Sequence, residues 1–172
     1  PPAMQITDLP EIDVVTVSHN HYDHLDIPSL KKLSAKNPKT LFLVPKGDQK
    51  LLNRKGIKNT REFLWWENIE IKGTKFTFTP TQHWSARGLA DRNKSLWGGW
   101  FMSFPNFKSF HAGDSGYSKD FQDTQAKLGK PDLSLIPIGA YAPQWFMKAN
   151  HVNPEEALQV ALDLGSKKNY AM

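Results

Sequence analysis

Ile12-Asp13-Val14-Val15-Thr16-Val17 runs directly into Ser18-His19-Asn20-His21-Tyr22-Asp23-His24. The first half is apolar and β-branched, as a buried strand requires. The second half gathers three imidazoles and a carboxylate within six residues. These are the donors that zinc and similar ions accept where thiolate is absent. In an extended segment alternate residues share a side, so His19, His21 and Asp23 align, and a turn beginning at Asp23 swings His24 beside them. Four donors from one stretch exceed what one catalytic ion takes from a single segment, which points to two metals. The competing reading is a polar turn whose histidines bond to backbone. Three histidines and an aspartate at this spacing outweigh it.

The whole chain is compatible with such a site. It has 172 residues, 39% of them hydrophobic, 12% aromatic and 23% charged, with no cysteine. That composition excludes disordered, collagen-like and disulfide-stapled classes, and thiolate chemistry with them. No apolar run reaches the ~18 residues of a membrane-spanning helix. The net charge of +5 suits an anionic substrate or surface without choosing one. Lysines and arginines are spread along the chain rather than clustered, so no nucleic-acid partner is expected. The chain opens at Pro1-Pro2 and closes at Tyr170-Ala171-Met172 without a capping or polar tail, and reads as an internal piece of a longer protein. Residues 1–172 read as one domain, without repeats or linkers.

Outward from the donor cluster, strands and helices alternate. Asp26 caps a helix through about Lys36, with Pro28 in its first turn. Leu41 to Val44 reads as a buried strand, and Asp48 to Lys55 as a short helix stopped by Gly56. Short strands follow between Glu62 and Thr81, among them Lys75 to Thr79, whose period of two predicts a half-buried strand. Residues 83–96 read as a polar loop. Trp97 to Phe104 and Phe107 to Phe110 are aromatic strands joined at Pro105-Asn106. Ser118 to Leu128 is a helix closed by Gly129, and Leu133 to Ile136 another buried strand. A loop rich in Pro, Gly and aromatics runs to Asn150. Asn153 then caps a helix starting at Pro154 and ending at Gly165, and Lys168 begins a further strand. The class is α/β, layered with helices outside.

His19-x-His21-x-Asp23-His24 after a buried strand resembles the signature of the metallo-β-lactamase superfamily, an αββα sandwich with a two-metal site. Thr79-Pro80-Thr81-Gln82-His83-Trp84 resembles the segment carrying its next ligand, and Phe110-His111-Ala112-Gly113-Asp114-Ser115 the one carrying the bridging carboxylate. The resemblance implies that His19, His21 and His83 hold one metal and Asp23 and His24 the second, with Asp114 between. It implies two Zn2+ ions. It also places the N-terminal strands before Pro1, and a last histidine ligand beyond Met172, so the fold is expected to be incomplete at both ends and the second site to lack one donor here.

Gln82-His83-Trp84-Ser85, Leu96-Trp97-Gly98, Ala112 to Tyr117, Ile136 to Tyr141, Trp145 to Lys148 and His151 to Ala157 are similar to one subgroup, the N-acylphosphatidylethanolamine-hydrolysing phospholipase D family and its bacterial relatives. The resemblance implies a dinuclear zinc phosphodiesterase that releases phosphatidic acid and an N-acylethanolamine. In it Asp23 is a metal ligand that also accepts the nucleophile's proton. His151 contacts substrate or assists the leaving alkoxide; a contact at the helix N-terminus is the plainer alternative. Tyr22 either reaches a substrate phosphate or merely packs. His111 reads as a satisfied strand residue, not a ligand. Tyr141, Trp145, Phe146 and Met147 suit an apolar groove, a core or a homodimer contact. Expected partners are a phospholipid or other small phosphodiester and a peripheral membrane surface, in a cytoplasmic or membrane-peripheral setting. A sugar-phosphate lactonase resembling the ascorbate-6-phosphate type, and a nuclease of the same fold, are the alternatives.

Overall fold

The computed structural model describes residues 4–172, and the chain divides into two compact units. One comprises the residues through Phe63 together with Ser85–Leu96, and the other comprises Leu64–Trp84 and Trp97–Met172.

The first unit is built on β1 (Val14–Thr16), β2 (Leu41–Pro45) and β3 (Thr60–Phe63), a parallel sheet in that order. Parallel neighbours need a crossover, and α1 (Ile27–Lys36) and α2 (Gln49–Arg54) supply them. The Asp26 carboxylate accepts from the Ser29 N–H at 2.9 Å, so α1 starts where the sequence set its cap. Val17, Leu25, Leu30, Phe42, Val44, Leu52 and Ile57 form the core of this unit. Val17 and Leu25 flank the donor cluster, so both ends of that segment are anchored in apolar packing.

The second unit carries six strands in sequential order: β4 (Asn68–Ile71), β5 (Thr74–Thr79), β6 (Gly99–Phe104), β7 (Phe107–His111), β8 (Leu133–Ile136) and β9 (Lys168–Ala171). The first four form an antiparallel meander, and β7, β8 and β9 are parallel. Between them lie α3 (Asp120–Leu128), α4 (Gln144–Met147) and α5 (Pro154–Leu164). Phe101, Phe110, Phe121, Ile136, Val152, Ala157, Val160 and Leu164 are the heart of the core.

Several local expectations differ from what forms, and most are element ends shifted by a residue or two. β5 is not half-buried: all its residues but Lys75 are inside, since β4 and β6 pair with both its edges and its side chains are buried on either face. The first strand is shorter than Ile12 to Val17, with only Val14–Thr16 in the ladder. α4 is a single turn within the segment read as irregular, with Pro143 as its extended N-cap residue. Asn153 makes a complete capping box with Glu156, and Gly165 closes α5 in the left-handed conformation. Replacing Asn153 with Ala removes the acceptor for the Glu156 N–H. It should lower unfolding free energy by about 1 kcal/mol, measured as a shift in the urea midpoint at unchanged slope. An unshifted midpoint would show that the cap contributes nothing.

Candidate metal centre

The donor cluster of the first unit follows β1 as a tight turn. The N–H groups of His24 and Leu25 both donate to the His21 carbonyl, at 3.1 and 2.8 Å. The turn therefore starts at His21, two residues earlier than the alternating pattern implied. It still brings the rings together: His19 and His24 have centroids 4.1 Å apart, and His19 Nε2 lies 2.8 Å from His21 Nδ1. Two nitrogens bound at 2.0–2.1 Å in a tetrahedral zinc site stand about 3.3 Å apart. These two therefore need little movement to share an ion. Asp23 projects outward, its side chain 80% exposed, with Oδ2 3.6 Å from His24 Nε2.

Ser18 sits behind two of these rings. Its Oγ lies 3.0 Å from His19 Nδ1 and 3.3 Å from His24 Nδ1. With metal on both Nε2 atoms, both Nδ1 atoms carry protons and the single hydroxyl oxygen accepts from both. Such partners behind the ring fix tautomer and orientation. Ser18 was not singled out from the sequence. Its position beside His19 was the only sign, and a serine there is too common to weigh.

The second unit brings together His83, Asp114 and His151, whose donor atoms lie within 4.8 Å of one another. His83 Nδ1 donates to the Asn150 carbonyl at 3.0 Å, the same arrangement as at Ser18, and its Nε2 faces Asp114 Oδ2 at 3.9 Å. The His83 and His151 rings meet edge to face, 5.1 Å between centroids. Ser115 binds the three donor segments to one another. Its hydroxyl accepts from the Gln82 N–H at 3.0 Å, its carbonyl accepts from the Val152 N–H at 2.8 Å, and the Gln82 carbonyl accepts from the Gly116 N–H at 2.7 Å. The residue next to each donor is thereby fixed to the others. A Cβ on Gly116 would stand 2.7 Å from the Ala149 carbonyl oxygen, so only glycine allows the loop before His151 to lie this close. His111 is not part of the group; its Nδ1 accepts from the Gly113 N–H at 3.0 Å.

The donor sets fit a metal: imidazole and carboxylate only, several rings braced by hydrogen bonds on the opposite nitrogen, and atoms at near-coordinating separations. Within the first unit His19, His21 and His24 present such donors, with Asp23 turned outward beside His24, and within the second His83, Asp114 and His151 do. Tyr22 is two-thirds exposed and donates its hydroxyl to the Arg87 carbonyl at 3.0 Å.

Residues 1–172 match the family model described as the beta-lactamase superfamily domain. The chain belongs to the metallo-β-lactamase superfamily. The N-acyl-phosphatidylethanolamine-hydrolyzing phospholipase D 1 of Caenorhabditis elegans is 42% identical to it over 170 residues, covering 93% of this chain and 48% of that protein. The mitochondrial protein of the same name from Saccharomyces cerevisiae is also 42% identical, over 95% of this chain and 36% of its own length. The chain thus spans less than half of these relatives. A metallo hydrolase from Ignicoccus hospitalis superposes with a TM-score of 0.76 at 20% identity, covering 94% of this chain and 64% of that one. These likenesses bear out the fold class and the family resemblance read from the sequence.

Next to the donor segment, Asp48 is buried and accepts from Asn20 Nδ2 at 3.0 Å. Burial pushes its carboxyl up to about 6, against hydrogen bonds from Ser95 and Asn20 and the charge of Arg87; the nearby Glu62 charge adds to the rise. A carboxyl raised in the folded state binds its proton more tightly there than in the unfolded chain, so this group's contribution to stability falls as pH rises from about 4 to about 6. Asp48→Asn removes the titration and keeps an acceptor for Asn20. In metal-free protein, the variant should gain about 3 kcal/mol on the wild type between pH 4 and pH 7, read from urea unfolding at each pH. A pH-independent difference would contradict the buried, proton-holding carboxyl.

Proposed function

We propose that the protein is a dinuclear metal-dependent phosphodiesterase that cleaves N-acylphosphatidylethanolamine-type phospholipids, with zinc as the resident ion. The observation that carries this reading is 42% identity, over more than nine-tenths of the chain, to two proteins named for that hydrolysis. The donor chemistry supports it: each unit carries its own group of imidazole and carboxylate donors, His19, His21, Asp23 and His24 in the first and His83 and Asp114 in the second.

Two metals in such a site supply Lewis acidity, activating water and opposing the charge on phosphoryl oxygens. The chain's own residues handle substrate and protons. Water adds to phosphorus, the bond from phosphorus to the N-acylethanolamine oxygen breaks, and phosphatidic acid remains. Asp23, open to solvent, takes the proton from the attacking water. His151, beside His83 at the mouth of α5, gives a proton to the departing alkoxide. The Tyr22 hydroxyl exchanges the Arg87 carbonyl for a phosphoryl oxygen. A lipid substrate is met at a bilayer surface, and α4 supports such an approach. Trp145 is 86% and Phe146 65% exposed, side by side, with Lys148 following to meet anionic headgroups.

The test is turnover of N-acylphosphatidylethanolamine beside bis-p-nitrophenyl phosphate. Both should be hydrolysed, both should stop with chelator, and both should return with zinc. Turnover of the generic ester alone retains the phosphodiesterase and rejects the lipid. Asp114→Ala should lower both rates by more than about 100-fold, beyond the usual cost of losing a residue behind a ligand; undiminished turnover sinks the assignment of Asp114 as a ligand. Replacing Trp145 and Phe146 together with Ser should weaken vesicle binding about ten-fold or more, since burying one such ring is worth ~1.5–3 kcal/mol. Hydrolysis of the soluble ester should not change. Equal losses on both substrates would place the pair in the fold rather than at the membrane.

A further inference from the structure

The donor segment 19–24 lies in neither a strand nor a helix, so backbone ladders do not hold it. Beyond its own turn bonds and the Asn20–Asp48 bond, it is fastened by the loop 85–96, more than sixty residues on. Arg87 Nη1 donates to the Asn20 carbonyl at 2.8 Å and to the Leu25 carbonyl at 2.9 Å. Those two acceptors bracket His21, Tyr22, Asp23 and His24. The same guanidinium lies 4.0 Å over the Tyr22 ring, whose hydroxyl returns a hydrogen bond to the Arg87 carbonyl.

Arg87 is itself secured. The Asp91 carboxylate accepts from the Arg87 N–H, at 3.1 Å to each oxygen, and from the Gly88 N–H at 2.8 Å. Those bonds hold the Asp91 carboxyl below the usual carboxylate range, the Gly88 bond first. On its other side Asn20 is tied to Asp48. The carbonyls of Asn20 and Leu25 belong to buried residues, so losing their donor leaves two backbone acceptors poorly placed for water.

We propose that Arg87 is a positioning residue for the metal centre: its guanidinium closes the loop that presents His21, Asp23 and His24 and holds their donor atoms in coordinating register. Residues behind metal ligands act this way when they fix the ligands' orientation without touching the ion. Arginine suits the task because its planar, permanently charged group stacks on the Tyr22 ring while its Nη1 donates to both carbonyls. A lysine offers a point charge with three donors but no plane, and so loses the stack on Tyr22. The inference rests on the ligand assignment above.

The experiment measures zinc affinity of the full chain by competition with a chromophoric chelator, well below the unfolding midpoint, together with the visible absorption of the cobalt-loaded protein. Arg87→Ala should weaken zinc binding about 10–100-fold, and Arg87→Lys by less, each with a changed cobalt spectrum. Lys94→Ala, an exposed residue of the same loop, serves as the control and should change neither. If Arg87→Ala fails to fold, Arg87→Lys alone decides. Wild-type affinity and spectrum in the folded variants, with only a lowered melting midpoint in chelator, would overturn the proposal and leave Arg87 as a fold residue. His19→Ala separates this failure from failure of the ligand reading. If it too binds zinc as the wild type does, the site itself is misassigned; if it alone loses zinc, only the role of Arg87 falls.

Discussion

A histidine ligand has two nitrogens, and a metal site works only if the one facing the ion is the one without a proton. The rest of this structure answers to that constraint. His19 and His24 share the Ser18 hydroxyl behind their rings, and His83 has the Asn150 carbonyl behind its own. With His19 Nε2 and His21 Nδ1 only 2.8 Å apart, two protonated rings would place like charges in contact. A cation held between them would avoid that contact. The same competition makes metal affinity fall as protons become more abundant.

The fold serves this constraint by placing donors just past the ends of ordered elements. His19 follows β1, His83 follows β5, Asp114 follows β7, and His151 precedes the capped start of α5. Strands end in rigid anchors, and the loops beyond them are free to adopt the turns that point side chains inward. This is where α/β proteins generally seat ligands. The loops are then braced by hydrogen bonds in place of secondary structure. In the second unit Ser115 links the neighbours of all three donors. In the first, Arg87 and Asp48 grip Asn20 from its backbone and its side chain. Each unit is braced internally, with its own hydrophobic cluster beneath.

Much of this was legible in the sequence because the signals were local. The apolar run before His19, the caps at Asp26 and Asn153, the stops at Gly129 and Gly165, and the aromatic hairpin at Pro105-Asn106 each depend on a few adjacent residues, and each forms. The donor types were equally plain, since histidine and aspartate at that spacing have few other uses. What could not be read depends on residues distant in the chain. β5 carries an alternating pattern yet is buried at every residue but Lys75. The turn at His21 is set by backbone bonds, not by a turn residue. Ser18, Asp48, Arg87 and Ser115 are ordinary polar residues whose roles appear only when the segments they bridge are seen together.

Zinc-edge anomalous diffraction from crystals grown with zinc tests the central claim most directly. The account predicts anomalous peaks at about 2.0–2.2 Å from donor atoms of His19, His21, Asp23, His24, His83 and Asp114. Peaks confined to other residues, or none at these atoms in zinc-saturated protein, would contradict it.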